Sequence, residues 1–163
     1  MNKEPIGKIE KFKEIRARFE KLMRDTESII ASNNPFASMI EDKPIIIFDT
    51  YNTYLKFDHM RHSVQNEDQV QKKFEDFLAQ AESIIEKIRK VTDSINDTAL
   101  SENIDESNTE DIAKALGEQV KKFKSWLKGS MVDLINASDE IKNEFGIVEN
   151  RVRGELMRYM RIN

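Results

Sequence analysis

A run of apolar residues at alternating steps of four and three, from Val70 to Ile95, constrains the fold of this chain more than any other feature. Residues three and four apart lie on one side of an α-helix, so this spacing predicts a long amphipathic helix. Leu78 and Ile85 widen its apolar face beyond the narrow seam of a two-stranded coiled coil. We therefore expect the helix to pack against two partners and to bury its central apolar residues, which are Phe77, Ile84, Ile88 and Val91.

A second amphipathic helix is predicted over about residues 4–32, where apolar side chains recur at the same spacing and Thr26 fills the one polar position. It ends before Ser32-Asn33-Asn34-Pro35, because Ser and Asn compete for backbone hydrogen bonds and proline disfavours helix at the residue before it. Residues 33–43 are expected to form a loop. The apolar positions of this helix are Phe12, Ile15, Phe19, Leu22 and Ile29.

The segment from Pro44 to Phe57 fits either a helix or a short hairpin around Tyr51 and Asn52, because β-branched and aromatic residues dominate it. We favour a helix over residues 44–62, since an isolated two-stranded hairpin has little support in a helical chain. The predicted buried seam of this helix consists of Ile45, Phe48, Leu55, His59 and His62.

The last helix is predicted over residues 109–161, with one apolar quasi-heptad running from Leu116 to Tyr159. Gly129 and Gly146 weaken this helix by about 1 kcal/mol each relative to alanine, but no proline interrupts it. Whether it continues through both glycines is left open by the pattern.

Composition supports a fold of few, long elements. Charged residues make up 34% of the chain and hydrophobic residues 39%, while only 5 Gly and 3 Pro are available for tight turns. We therefore predict an all-α fold, an elongated antiparallel helical bundle or coiled coil of three to four long helices, in one domain over residues 1–163. The predicted helices span about residues 4–32, 44–62, 66–97 and 109–161, with an acidic polar linker over 98–108.

Several functional classes have no support in the sequence. With Cys 0 there is neither a disulfide framework nor a thiol nucleophile, and no glycine-rich phosphate loop is present. A net charge of −4 argues against a surface that binds phosphate throughout. The first residues lack the apolar stretch of a signal peptide, and the longest apolar run, Ile45 to Phe48, is too short to span a bilayer. A cytoplasmic location is expected.

Two groups of side chains could suggest metal chemistry. His59 and His62 lie three residues apart and share one side of a helix, but four ligands are usual for structural zinc. A set of carboxylates could suggest a magnesium-dependent all-α nucleotide hydrolase, yet they project opposite the apolar stripe and are expected in solvent. We predict no catalytic residue, metal site or cofactor. The carboxylates are Glu75, Glu82, Glu86, Asp93 and Asp97.

The most distinctive charged feature is a stripe of lysines within residues 114–128, which also contain Trp126. A basic amphipathic helix with a tryptophan can bind nucleic acid or an anionic membrane surface. On projection, however, Trp126 lies on the opposite flank of the apolar face, which favours a solvated stripe beside a packed tryptophan. The residues of this alternative binding site are Lys114, Lys121, Lys124 and Lys128.

The sequence favours a non-enzymatic protein-protein interaction module, such as an oligomeric structural subunit, scaffold or adaptor. The apolar seam of the last helix is longer than any other predicted helix, so part of it needs a second copy or a helical partner to cover it. The partner-binding residues are expected near the end of that seam, at Phe145, Val148, Val152 and Tyr159.

Overall fold

The computed structural model describes residues 4–32, 34–61, 67–99 and 107–162, and within these ranges it contains helices and no strands. The predicted all-α helical bundle is confirmed. Helix α1 spans Glu4–Ala31, α2 Ala37–Ile40, α3 Lys43–Met60, α4 Glu67–Ala99 and α5 Thr109–Ile162. Among these helices, none combines the length and the apolar composition needed to cross a membrane.

Helix α3 replaces the hairpin that its composition allowed. Pro44 lies in the first turn, where a missing backbone N–H costs no intrahelical hydrogen bond. The predicted seam of this helix is wrong at Ile45, which is 65% exposed, and at Phe48, which is 51% exposed, whereas Leu55 is half-buried against the core. His59 is also exposed, while His62 lies outside the described residues. The buried face instead consists of Ile47, Thr50, Tyr51, Tyr54 and Phe57.

Polar residues can occupy this buried face because their polar atoms have partners. The Thr50 hydroxyl donates to the Ile46 carbonyl oxygen at 2.9 Å and lies 2.7 Å from the Ser138 hydroxyl of α5. The Tyr51 hydroxyl donates to Glu20 of α1 at 3.2 Å. A buried hydroxyl that keeps its hydrogen bonds loses little free energy on leaving water. The face with Thr50 and Tyr51 can therefore be buried in place of the face with Ile45 and Phe48.

The expected loop over residues 33–43 is also corrected, because it contains the one-turn helix α2 and two fully buried side chains, Phe36 and Ile40. Asn34 orders the turn: its Oδ1 accepts from the Phe36 backbone N–H at 2.9 Å, and its Nδ2 donates to the Thr92 hydroxyl at 2.8 Å. The ring of Phe36 then meets Phe123 of α5 edge to face at 4.7 Å. This connection is therefore part of the core.

The interhelical contacts fix the directions of the long helices. Helices α4 and α5 are antiparallel, because Lys73 pairs with Glu140 while Ser94, further along α4, accepts from Gln119, which precedes Glu140 on α5. Helices α1 and α4 are parallel, with three ion pairs in the same order along both. These pairs join Lys11 to Glu75, Arg18 to Glu82 and Asp25 to Arg89.

The core lies between the four long helices, with α1 beside α3 and α4, and α5 beside α3 and α4. Aromatic rings fill its centre: Phe19 of α1 stacks on Phe77 of α4 at 6.2 Å, and Tyr54 of α3 meets Phe74 of α4 edge to face at 5.0 Å. Most of the expected apolar faces of α1 and α4 is buried, with Thr26 at its predicted place and bonded to the Leu22 carbonyl oxygen. The prediction that Val91 is buried is wrong, because Val91, like Phe12, is only half-buried at the edge of the core. Aromatic rings prefer particular mutual orientations, so these contacts favour one packing arrangement of the helices.

Candidate interaction surfaces

Helix α5 uses one side for the core over more than six turns. Its buried residues recur at steps of three and four, and the last of them is Phe145, which is 5% exposed. The buried side chains of this stripe are Phe123, Leu127, Met131, Leu134, Ser138, Ile141 and Phe145.

The register between α4 and α5 explains why the stripe ceases to be buried after Phe145. Lys73 contacts both Glu140 and Glu144, at 2.6 and 2.7 Å. Since the two helices are antiparallel, Glu67 at the start of α4 lies about level with Gly146 of α5. The described part of α4 therefore ends where residues 147–162 of α5 begin, and we call these residues the α5 extension.

The α5 extension continues for roughly 24 Å at 1.5 Å per residue. Its large apolar side chains are exposed: Ile147 by 62%, Leu156 by 60%, Met157 by 54%, Tyr159 by 76% and Met160 by 70%. A contiguous exposed apolar patch is uncommon on a surface that has no partner, so the side of the helix on which each of these residues lies is important.

The apolar stripe itself continues into the α5 extension. At about 100° per residue, Val152, Leu156 and Tyr159 project within about 40° of Phe145. Ile147 and Met157 project at least about 120° away from Phe145 and belong to other sides of the helix. The side of α5 that faces the core in the bundle is therefore the side that carries Val152, Leu156 and Tyr159 beyond it.

The four residues expected to bind a partner thus have different environments. Phe145 is packed in the intramolecular core, so it closes the bundle and does not line the exposed surface. Val152 is half-buried and Tyr159 is exposed, while the side chain of Val148 lies outside the described part of the structure. Leu156 was missed, because a strict heptad step falls on Glu155 instead; a projection at 3.6 residues per turn would have found it.

The α5 extension contains arginine residues as well as apolar ones. Arg151, Arg153 and Arg158 are exposed, and Arg153 pairs with Glu149 one turn earlier at 3.2 Å. This pair lies within one helix, so it supports the helix without attaching it to the bundle.

The lysine stripe of α5, Lys114, Lys121, Lys124 and Lys128, lies in the bundle region and is exposed along its whole length. Among the residues that the structure describes, none of these four amines pairs with a carboxylate. Elsewhere the cations are often paired: hydrogen bonds to Glu140 and Glu144 raise the pKa of Lys73. The stripe is thus a local excess of positive charge on an acidic chain.

Trp126 does not belong to the lysine stripe. It is half-buried, its ring stacks on Phe123 at 5.4 Å, and the amine of Lys87 from α4 lies 4.2 Å from the ring centroid. The indole is therefore engaged by an aromatic ring and a cation of the protein itself. The expectation of a packed tryptophan on the opposite flank from the lysines agrees with this geometry.

An open groove of about 460 Å³ runs beside the lysine stripe, between α2 and α5. Half-buried Met39 and Val120 contribute apolar surface to it, and nothing lies within 4 Å of the position that a Cβ atom at Gly117 would take. We call it the lysine groove. Its lining residues are Met39, Gly117, Val120, Lys121, Lys124, Ser125 and Lys128.

The carboxylates that could have suggested a hydrolase are divided between two environments. Glu86, Asp93 and Asp97 are exposed, as expected. Glu75 and Glu82 are half-buried against α1, so the expectation of simple solvation is wrong for these two. Because Lys11 is hydrogen-bonded to Glu75, its pKa is raised above the usual value. Glu75 and Glu82 of α4 therefore form ion pairs that connect α4 to α1.

Within the described residues, no three His, Asp or Glu side chains are grouped so that they could hold a metal ion. A buried charge does occur where α3 ends: Arg61 contacts Asp58 at 2.9 Å and Glu67 at 3.3 Å, and its guanidinium lies over the Phe57 ring. Burial raises the pKa of the neighbouring Tyr54 phenol. This cluster ties the end of α3 to the start of α4, with its charge balanced by carboxylates.

Comparison with known proteins returns no similarity: no protein-family model, no curated protein and no solved structure matches this chain. The surfaces described above are therefore the basis for a functional proposal.

Proposed function

We propose that this protein is a helical protein-protein interaction module that associates through the α5 extension, as an oligomeric subunit, scaffold or adaptor. The observation that supports the proposal is the continuation of the core-facing stripe of α5 beyond the level of Glu67, the first residue of α4. Val152, Leu156 and Tyr159 lie on the same side as the buried residues before them, where a further helix would continue the bundle.

The energetic argument rests on apolar surface. Burial gains about 25 cal/mol per Å² of apolar surface, so fully covering a leucine or methionine side chain is worth about 1.5–3 kcal/mol. Leu156 and Tyr159 together with Met160 thus represent several kcal/mol that is gained only in a complex. Association requires such a surplus, because binding costs at least about 4 kcal/mol of lost translational and rotational freedom.

A second copy of the chain is the first partner to test, because an identical extension offers the same surface and two-fold pairing closes without leaving an open end. Light scattering coupled to size exclusion should then give a mass at least twice the 19.0 kDa of the chain. The double substitution of Val152→Lys and Leu156→Lys should lower that mass to that of a monomer, with far-UV helicity largely retained.

The α5 extension supplies a matched control for this experiment. Ile147→Lys with Met157→Lys adds the same two charges to two exposed residues of the same segment that lie off the stripe. This control should leave the mass unchanged. The self-association proposal fails if the unmodified protein is a monomer at high concentration, or if both double variants lower the mass equally.

A further inference from the structure

The lysine groove is a second surface with a distinct chemistry. Its three lysines, Lys121, Lys124 and Lys128, are exposed and have no carboxylate partner among the described residues, although Asp and Glu total 30 in this chain. Surface charges of opposite sign were available, yet the stripe stays unpaired over about 21 Å from Lys114 to Lys128. Such a local field attracts an acidic ligand.

The groove also has an apolar component. Met39 and Val120 are half-buried along it, and Gly117 takes the position on the stripe between Lys114 and Lys121. Because the space beside Gly117 is open, an apolar side chain of a ligand can approach the α5 backbone there. Apolar surface bordered by cations matches a ligand with carboxylates next to apolar side chains.

We propose that the lysine groove binds an acidic amphipathic helix of a partner protein. Its carboxylates pair with Lys121, Lys124 and Lys128, and its apolar side chains enter the groove between Met39 and Gly117. On an amphipathic ligand helix, side chains three and four residues apart lie along one side, so its acidic and its apolar residues can form two adjacent rows. Lys121, Lys124 and Lys128 have the same spacing of three and four residues on α5.

Two other polyanions fit the groove less well. Single-stranded nucleic acid is usually held by exposed aromatic rings beside the basic residues, and Trp126 is engaged by Phe123 and Lys87. An anionic membrane surface is bound by helices whose apolar residues protrude into the lipid, and Met39 and Val120 are half-buried.

The groove is separate from the α5 extension. Lys128 and Val152 are 24 residues apart on one helix, which places them roughly 36 Å apart. The two surfaces can therefore be occupied at the same time, and each can be tested by variants that leave the other intact.

The test uses two synthetic peptides and fluorescence anisotropy with the full chain at physiological salt, where the Debye length is about 8 Å and screening limits the effect of distant charges. One peptide is an amphipathic helix of Glu and Leu with leucines at i, i+3, i+4 and i+7, and the other has the same composition in scrambled order. The amphipathic peptide should bind at least about fivefold more tightly than the scrambled one, since only it places leucines and carboxylates on adjacent lines.

Substitution of Lys121, Lys124 and Lys128 by Glu should weaken binding of the amphipathic peptide at least about tenfold. The control variant exchanges three exposed lysines on other helices, Lys13→Glu, Lys56→Glu and Lys72→Glu, which gives the same change in net charge. This control should alter binding less than about threefold, because the exchanged lysines lie on α1, α3 and α4, do not line the groove, and are screened by the salt.

A third variant tests the apolar part of the groove without changing charge. Gly117→Leu fills the open space beside the stripe and favours helix, so circular dichroism should show an intact fold. This substitution should weaken binding of the amphipathic peptide about fivefold or more and leave binding of the scrambled peptide unchanged.

The proposal is overturned if both lysine variants weaken the peptide equally, or if Gly117→Leu leaves its binding unchanged. It is also overturned if the groove prefers another polyanion. Tighter binding of a 20-nucleotide single strand, lost in the Lys121, Lys124 and Lys128 variant, would make the groove a nucleic-acid site. Tighter binding of vesicles containing phosphatidylserine and phosphatidylcholine, lost in the same variant, would make it a membrane site.

Discussion

Two parts of helix α5 have the same apolar periodicity and opposite burial. Up to Phe145 the stripe is packed against α3 and α4, and after Gly146 its apolar residues are exposed. The helix does not change at that point, but α4 begins there. Periodicity therefore determines which side of a helix is apolar, while the lengths of the neighbouring helices determine how much of that side is buried.

The largest expected difference between the two parts of α5 is in the stability lost when a leucine on the apolar side is replaced by alanine. Leu127→Ala should lower the free energy of unfolding by about 2–5 kcal/mol, because Leu127 is fully buried and its truncation leaves a cavity. Leu156→Ala should change it by less than about 0.5 kcal/mol in the monomer, because Leu156 is mostly exposed. Urea unfolding at low protein concentration measures both.

Equal costs for the two leucine substitutions would contradict the comparison, since they would mean that the α5 extension is packed within the monomer. A cost for Leu156→Ala that grows with protein concentration would instead support association through this surface.

Much of the fold follows from spacing alone. The sequence predicts the apolar faces of α1 and α4, because apolar residues three and four apart can share only one face of a helix. Helix α3 has four consecutive apolar residues, Ile45 to Phe48, so its sequence does not distinguish the faces. The choice depends on Thr50 and Tyr51, whose hydrogen-bond partners lie on α5 and α1 and become visible only in the fold.

Other features depend on tertiary packing that a pattern does not encode. Phe36 and Ile40 lie in and beside a single helical turn, which is too short to show a period. Glu75 and Glu82 were placed correctly opposite the apolar stripe, but the projection does not reveal that α1 lies within reach of both. At the candidate site, the strict heptad missed Leu156 and included Phe145, because it does not locate the end of the neighbouring helix.

A smaller effect is expected from the polar position within the buried part of the stripe. Ser138→Ala should cost about 0.5–1.5 kcal/mol, because it removes the interhelical hydrogen bond to Thr50, whose hydroxyl keeps its bond to the Ile46 carbonyl oxygen. The matched control is Ser125→Ala on the exposed side of the same helix, which should leave the unfolding midpoint in urea unchanged. If Ser138→Ala stabilises the protein, the hydroxyl pair contributes nothing to the packing of α3 on α5.

Two glycines provide a comparison in which both substitutions should stabilise helix, one throughout the bundle and one only locally. Gly129 lies in the bundle region and Gly154 in the α5 extension, and nothing is within 4 Å of a Cβ at either. Gly129→Ala should stabilise the protein by about 0.5–1 kcal/mol, because glycine loses more backbone freedom on entering a helix. Gly154→Ala should raise local helix protection in hydrogen exchange without a matching change in global stability. An equal gain in global stability would show that the extension unfolds together with the bundle.

The smallest expected effects concern two ion pairs, one between helices and one within the extension. Arg18 of α1 binds Glu82 of α4 through two hydrogen bonds, at 3.1 and 2.5 Å, and this bonding raises the pKa of Arg18. Both side chains are partly exposed, so solvent screening limits the cost of Glu82→Gln to about 0.2–1 kcal/mol. In 1 M salt, where the Debye length is about 3 Å, the difference from the unmodified protein should shrink.

Glu149→Gln removes the corresponding partner of Arg153 in the α5 extension, where the pair spans one helical turn at 3.2 Å. Such a pair stabilises its own helix by about 0.3–0.5 kcal/mol. Because the extension contributes little to the cooperative core, the loss should appear as faster local hydrogen exchange around Glu149 and leave the global unfolding midpoint unchanged. A shift of that midpoint as large as the one produced by Glu82→Gln would show that the extension is fastened to the bundle, and the two parts of α5 would then form one cooperative unit.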